Sequence, residues 1–459
     1  MNILFADNFQ LLVFVIIFLS ALIVNYLLFR GLLFSFFDPF WLVILGLTTT
    51  LAWLGYEFWI RNSLTGEVMT YLIIAQVAFI LGAKWGQYFF RFLRFRLAIN
   101  PQTCRLLPSA WEKIFIKTFL FLSSGAVLIV FLIRAHYLGL GLLSRDPEMA
   151  RVLANRGGFG ILGRITAPLI YCNLVFLFYV LRTKIRMSFS LRVIYFLIPA
   201  VYIFFMGSKS GFIAFFLAFY FSNVFVSLRE RKPLNFVSFK IAGVAALSIL
   251  GFSVLILYLR ASSVGVENHG RFAVQQIVAR IFGSGHGPVY YFTENLSAFM
   301  RFPPAEYIWR YLVVPFLAPL RLVNYPSKSL GSALGYLITG SDFFGPNPTM
   351  FVEGWAFFGN IGGVFYCFAL GVLLAICRYW ACVFKIQNNL FQLVAFCLGN
   401  VLILAIPFDM LLFWGDIFNY ILVLLPLALF CIVLSLPALR SLNSGRVKSA
   451  DLCGKIGSC

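Results

Sequence analysis

Charge is what this chain has least of. Only 11% of its 459 residues are Asp, Glu, Lys or Arg, against 61% hydrophobic ones, and its mean hydropathy is +0.93. That balance excludes a soluble globular domain, because too little polar surface is left to face water; lipid has to be the solvent. Alternating runs are missing too. The apolar stretches are continuous, which excludes membrane strands and leaves helices, whose backbone polar groups are satisfied internally.

Acid is scarcer than base. There are 16 Asp and Glu against 36 Lys and Arg, for a net charge of +20. In a soluble protein this excess would point to nucleic acid, but here most of it falls in loops that face anionic headgroups, so no nucleic-acid partner is expected. No Lys or Arg precedes Arg30, which leaves no positive n-region for a cleavable signal peptide; the first apolar run leads on as a span. Cys104, Cys382, Cys453 and Cys459 fall in segments read as cytoplasmic, and Cys172, Cys367, Cys377, Cys397 and Cys431 within spans. None lies in an outer loop, so no disulfide framework is expected. Cys377 and Cys382 lack the second Cys or His pair that a metal site needs, and neither metal nor cofactor is expected.

Long hydrophobic runs are abundant, and each approaches the roughly 20 residues that cross a bilayer's ~30 Å hydrocarbon core. They lie near 10–29, 37–56, 68–90, 114–133, 161–181, 193–206, 211–227, 241–259, 362–380, 389–408 and 417–438. The fold class is therefore all-α, a single polytopic membrane domain over 1–459 with about 11 transmembrane helices. The sixth and seventh runs are short and joined by Gly207, Ser208, Lys209, Ser210 and Gly211, forming a helical hairpin or an irregular re-entrant pair.

Orientation follows the loop cations. Arg91, Arg94, Arg96, Arg105 and Lys113 fill one loop; Arg182, Lys184, Arg186 and Arg192 another; Arg229, Arg231, Lys232 and Lys240 a third. With Arg378, Lys385 and a tail at 439–459, they mark the cytoplasmic side and put the amino terminus outside. A second set of cations escapes that rule. The first outer loop, 134–160, carries Arg134, Arg145, Arg151 and Arg156, and a large outer loop at 260–349 carries Arg260, Arg271, Arg280, Arg301, Arg310, Arg321 and Lys328. All three histidines, His136, His269 and His286, also fall outside.

A loop of that length is expected to fold as a cap. Arg271, Gln275, Gln276 and Arg280 share one half of a helix with Val274, Ile277 and Ile281 opposite, a pattern suited to the membrane surface. Residues 311–320 are apolar, too short to span and broken by Pro315 and Pro319, as in an interfacial or re-entrant segment. Outer cations disfavoured by the positive-inside rule point as a set to an anionic ligand, and arginine grips phosphate with paired hydrogen bonds. Individually, each arginine could instead pair with a carboxylate or snorkel to headgroups.

Two further positions carry chemistry. Lys209 lies between apolar runs among small residues, either approached by a ligand or resting as a turn in the outer headgroups. It is no nucleotide P-loop, which needs Gly-Lys after a spaced glycine. Farther on, Gly345, Pro346, Asn347, Pro348 and Thr349 precede Glu353, Gly354 and Gly359. Asn347 or Thr349 is expected to cap a helix with Glu353 near its first turn, where the dipole favours a carboxylate. That carboxylate could take a proton from a sugar hydroxyl or hold an arginine of the cap. Glu57, Glu67, Asp409 and Asp416 are further outer carboxylates with no spacing that marks a catalytic pair.

This order of basic outer loop, Gly-Ser-Lys-Ser-Gly hairpin, long arginine-bearing loop and Pro-Asn-Pro-Thr with Glu353 and Gly359 resembles the Wzy-type oligosaccharide repeat-unit polymerases of bacterial surface polysaccharide, over roughly 110–420. The resemblance implies a metal-independent glycosyltransferase of the lipid-carrier-dependent class in the inner membrane. It would act on undecaprenyl-pyrophosphate-linked glycans at the periplasmic face, with a chain-length regulator as a further candidate partner. It assigns Arg260, Arg280 and Glu353 to catalysis. Substrate binding would fall to Lys209, the first-loop arginines Arg145, Arg151 and Arg156, Arg271, Asn347 and His286. The same features leave open an O-antigen ligase, which commonly carries a histidine in the large outer loop, and a lipid-linked oligosaccharide flippase.

Overall fold

The computed structural model describes residues 8–96, 109–140, 157–183, 185–206, 209–230, 251, 254, 285–294, 296–318, 322–323, 329–340, 347–383 and 389–456. These residues are 87% helical and contain no strand. Eight of their helices are long and apolar enough to cross a membrane, and two shorter apolar ones accompany them. The chain is a polytopic helical membrane protein. The eight coincide with eight of the expected runs and the two shorter helices with the sixth and tenth, while the run at 241–259 lies almost wholly outside the described residues. Large side chains such as Ile16, Ile23, Leu425 and Val433 stand exposed on these helices, as a lipid-facing surface requires.

The chain divides into two compact units. The first comprises 1–100, 250–387 and 395–418. It holds α1 (Asn8–Phe29), α2 (Trp41–Trp59), α3 (Gly66–Arg96), α8 (His286–Thr293), α9 (Leu330–Thr339) and α10 (Thr349–Val383), the greater part of α11 (Asn389–Leu402), and the start of α12 (Met410–Ile456). Its centre is the pairing of α3 with α10. A Cβ at Gly82 would meet the carbonyl oxygen of Phe368, and one at Gly371 the carbonyl oxygen of Phe79. Glycine at both positions lets the two backbones touch, a close approach that helps helices associate where no hydrophobic effect operates between them. Some polar groups of this unit are answered by one another across helices, as lipid favours. Gln76 donates to Asn25 at 3.2 Å and Asn25 to Thr48 at 3.0 Å, linking α3, α1 and α2.

Arg378 was expected among the cytoplasmic loop cations. It lies instead in the body of α10, fully buried. Its guanidinium pairs with Asp38, donates to Asn400 Oδ1 at 2.8 Å and to the Leu32 carbonyl at 3.0 Å, and stands 4.0 Å from the Phe34 ring centre. Asp38 is equally buried and also accepts from the Phe40 amide at 3.0 Å. Arg378 falls inside the expected run 362–380, near its end, and its charge alone groups it with the flanking loop cations; its partners from the 32–38 segment and α11 make it an interior residue instead.

The second unit comprises 101–249, 388–394 and 419–459. It holds α4 (Ala110–Leu138), α5 (Gly157–Thr183), α6 (Phe189–Phe205), α7 (Lys209–Glu230) and the later part of α12. Ser109 and Glu112 begin α4 with a reciprocal capping box. Asn173 of α5 donates to Ser124 of α4 at 2.7 Å. Arg134, expected at the edge of the first outer loop, is buried within α4 and donates to Tyr202 at 2.8 Å. The short sixth and seventh runs are indeed two helices, and the Ile203 side chain packs where a Cβ of Gly211 would stand.

The buried pair generates a prediction. Arg378→Ala leaves Asp38 buried without its partner and should cost about 3–5 kcal/mol, whereas a hydrophobic replacement of both partners, Arg378→Met with Asp38→Leu, should recover much of the loss. Thermal unfolding of the purified protein in detergent checks this, and a double variant as unstable as the single one would contradict it.

Candidate functional site

The segment carrying Glu353 is a broken helix. Within α10 the backbone leaves helical geometry at Gly359, with φ 70° and ψ −168°, a conformation essentially reserved for glycine. The chain folds back there, so residues before the break meet residues after it. Gly354 lies against Gly363, Met350 accepts from the Cys367 thiol at 3.7 Å, and Tyr366 donates to Glu353 Oε2 at 2.7 Å. Tyr71 of α3 pins the first arm by donating to the Phe351 carbonyl at 2.8 Å.

The start of that arm is held by backbone, not by a side-chain cap. Thr349 and Met350 donate their amides to Phe408 and Pro407 at 3.0 and 2.9 Å. Thr349 has φ 61° and a fully buried hydroxyl without a hydrogen-bond partner, so it caps nothing; Asn347 is exposed. Glu353 is fully buried. Its Oε1 accepts the Met410 amide at 3.2 Å, so the carboxyl does face a helix N-terminus, that of α12. Asp409 lies beside it and accepts the Leu412 amide at 3.1 Å in the same turn.

Segment 296–318 packs on this arm. The Phe302 amide donates to the Ala356 carbonyl at 2.8 Å, a backbone bond that fixes the segment to α10. A helical turn Pro304–Tyr307 then runs into a π-helical turn Ile308–Val313, a rare geometry that frequently accompanies functional positions. Tyr307 and Tyr311, one turn apart, stack with ring centres 4.6 Å apart. The Tyr307 hydroxyl is 3.2 Å from the Tyr366 hydroxyl, and Tyr311 is close enough to Glu353 to feel its charge. Two cations of the loop come with it. Arg301 lies 5.7 Å over the Trp355 ring, and Arg310 lies 4.6 Å over Phe302 while paired with Glu306.

A buried carboxyl thus connects through Tyr366 to the half-buried Tyr307 of a cation-bearing segment. Burial, and then the Glu353 charge, holds the Tyr307 and Tyr311 phenols well above the usual range, so they stay protonated and donate. Burial also raises Asp409, against the pull of the Leu412 and Leu411 amides. Chemically, a chain of phenols ending in a carboxyl can relay a proton between a surface hydroxyl and a buried acceptor.

Among the expected site residues, the structure brings Glu353 into this cluster and leaves Asn347 exposed ahead of it. His286 opens α8 elsewhere in the unit, its ring 5.9 Å from that of Trp53. Lys209 is the first residue of α7. Arg145, Arg151, Arg156, Arg260, Arg271 and Arg280 lie outside the described residues. Among the described residues no guanidinium hydrogen-bonds Glu353, whose partners include the Tyr366 phenol and the Met410 amide. Sequence reasoning did not single out Tyr307, Tyr311, Tyr366 or the part Asp409 plays. One signal was present: Glu353 and Tyr366 flank Gly359 at nearly equal distances, as the two arms of a fold-back would place them.

No protein-family model matches the chain, and no curated protein or solved structure matches it significantly.

Two predictions follow from the geometry. Gly359→Ala forces a Cβ into a backbone region costing about 1–3 kcal/mol, so it should lower thermal stability and loosen the fold-back; unchanged melting would contradict the requirement for glycine there. Burial lowers the pKa of His286, so the native state binds its proton less readily than the unfolded chain does. Its contribution to stability is full above the ordinary imidazole pKa of about 6.5 and is lost as pH falls toward the lower native value. Melting temperatures measured from about pH 8 down to about pH 5 should show this decline, and His286→Phe should flatten it.

Proposed function

We propose that this chain is a polymerase of lipid-linked oligosaccharide repeat units, acting on the outer face of a bacterial cytoplasmic membrane that it crosses about eleven times. The observation that carries the reading is the Glu353 cluster: a buried carboxyl at a helix break, joined by phenols to a folded, arginine-bearing segment. Non-helical backbone at membrane depth is tolerated only where it is buried in protein or lines a cavity, and broken helices of this kind are where membrane proteins place polar ligands.

In the proposed reaction a hydroxyl at the non-reducing end of one lipid-linked repeat unit attacks the anomeric carbon of a glycan held on undecaprenyl pyrophosphate. The new glycosidic C–O bond forms as the bond to pyrophosphate breaks, and the carrier leaves as its pyrophosphate. Arginines of the outer loops, Arg260 and Arg280 first among them, stabilise the charge that grows on the leaving group, commonly the largest catalytic contribution. Positioning the two glycans supplies much of the remaining acceleration. The hydroxyl proton passes by way of Tyr307 and Tyr366 to Glu353. A chain-length regulator would act on this enzyme from outside the site.

The ligase alternative relies on a histidine of the large loop, where the chain offers His269, outside the described residues, and His286, which lies against Trp53. The surface polysaccharide of a deletion strain, complemented with the intact chain, Arg280→Ala or Glu353→Gln, tests the proposal on a gel. Loss of the ladder with a single repeat unit still attached is expected of the deletion and of Arg280→Ala. Glu353→Gln should slow polymer formation by about a hundredfold or more. Loss of all attached glycan would instead indicate a ligase or a flippase, and a normal ladder would sink the assignment.

A further inference from the structure

Unit two carries a cationic place of its own, independent of the function proposed above. A cleft of about 470 Å³ opens between α4 and the start of α6, lined by Lys117, Arg186, Met187, Ser188, Leu191, Arg192 and Tyr195. Three of these are cations from three different stretches of chain: Lys117 from α4, Arg186 from the connector, Arg192 from the first turn of α6. Among the described residues no carboxylate lines the cleft. The Arg192 Nε is buried without a hydrogen-bond partner, which is costly unless something supplies an acceptor. Ser188 caps α6 by accepting the Leu191 amide at 3.4 Å, and the helix's remaining early amides add positive potential at the same mouth.

Positive-inside loops need only scattered cations near headgroups, and such residues require no cleft and no buried donor. Here three cations share one cleft with an apolar lining of Met187, Leu191 and Tyr195. We infer that this cleft binds a phosphate group, and the apolar wall indicates the phosphodiester headgroup of an anionic lipid whose chains continue along α6. Arg192 and Arg186 supply paired donors to phosphate oxygens and Lys117 a point charge.

The test uses the full chain in phosphatidylcholine bilayer discs with fluorescent phosphatidylglycerol as the probe, and inorganic phosphate as competitor. Saturable binding of the lipid is expected, weakened about tenfold or more by Arg192→Gln or Lys117→Gln, since a hydrogen bond to a charged group carries that much. Arg192→Lys should retain part of the affinity, and Lys113→Gln, an exposed cation of α4 outside the cleft, should change it by no more than about twofold. Displacement by inorganic phosphate, with the same dependence on Arg192, would assign the cleft to soluble phosphate; resistance to it assigns the lipid. Absence of saturation with either probe, or an equal loss from Lys113→Gln, would overturn the proposal.

Discussion

Everything in the first unit hangs on how α10 is fixed in place. At one end the fully buried Arg378 is held by Asp38, Asn400 and the Leu32 carbonyl. Along its middle, Gly82 and Gly371 let it touch the backbone of α3. A charge in so dry a place is tolerable only when every donor finds an acceptor, so this end of the helix can adopt one register and no other. With the long arm fixed, the fold-back at Gly359 has a definite destination, and Glu353 arrives between Tyr366 and the start of α12. The polar cluster is the consequence of the anchoring, two helical segments away from it.

The two polar features of this unit solve the same problem differently. Arg378 is satisfied permanently, by a carboxylate, an amide oxygen and a carbonyl, and flanked by Phe34 and Phe40. Glu353 is satisfied by phenols and one amide, groups that can exchange protons with it and that lead outward to the half-buried Tyr307. The first arrangement suits structure and the second suits chemistry. A carboxyl paired with arginine would have been a fixed charge, whereas one paired with phenols can change state without leaving a buried cation behind.

Several features were readable from residues alone. Composition and continuous apolar runs required helices in lipid, and the run boundaries lay close to the helices found, because crossing a bilayer fixes both length and hydropathy. Of the large loop expected to fold as a cap, much lies outside the described residues; segment 296–318 within it is tied to α10 through the Phe302 amide. Glu353 was singled out from its motif, but its setting was misjudged: a capped first turn near the surface was expected, and a fully buried carboxyl at the start of another helix was found. Arg378 was grouped with the loop cations because it lies near the end of its run, and hydropathy cannot register a partner 340 positions away in the sequence.

What the sequence determined by itself was the solvent, the helical class and the positions of most crossings, since these depend on the free energy of moving local stretches of chain into lipid. The tertiary structure decided which polar residues meet. The fold-back at Gly359, the pairing of Glu353 with Tyr366, the stacking of Tyr307 on Tyr311 and the union of Arg378 with Asp38 all join residues whose own neighbours in the chain are unremarkable. A buried charge or carboxyl costs several kcal/mol unless it is answered. The answer comes from whichever distant group the packing brings within reach.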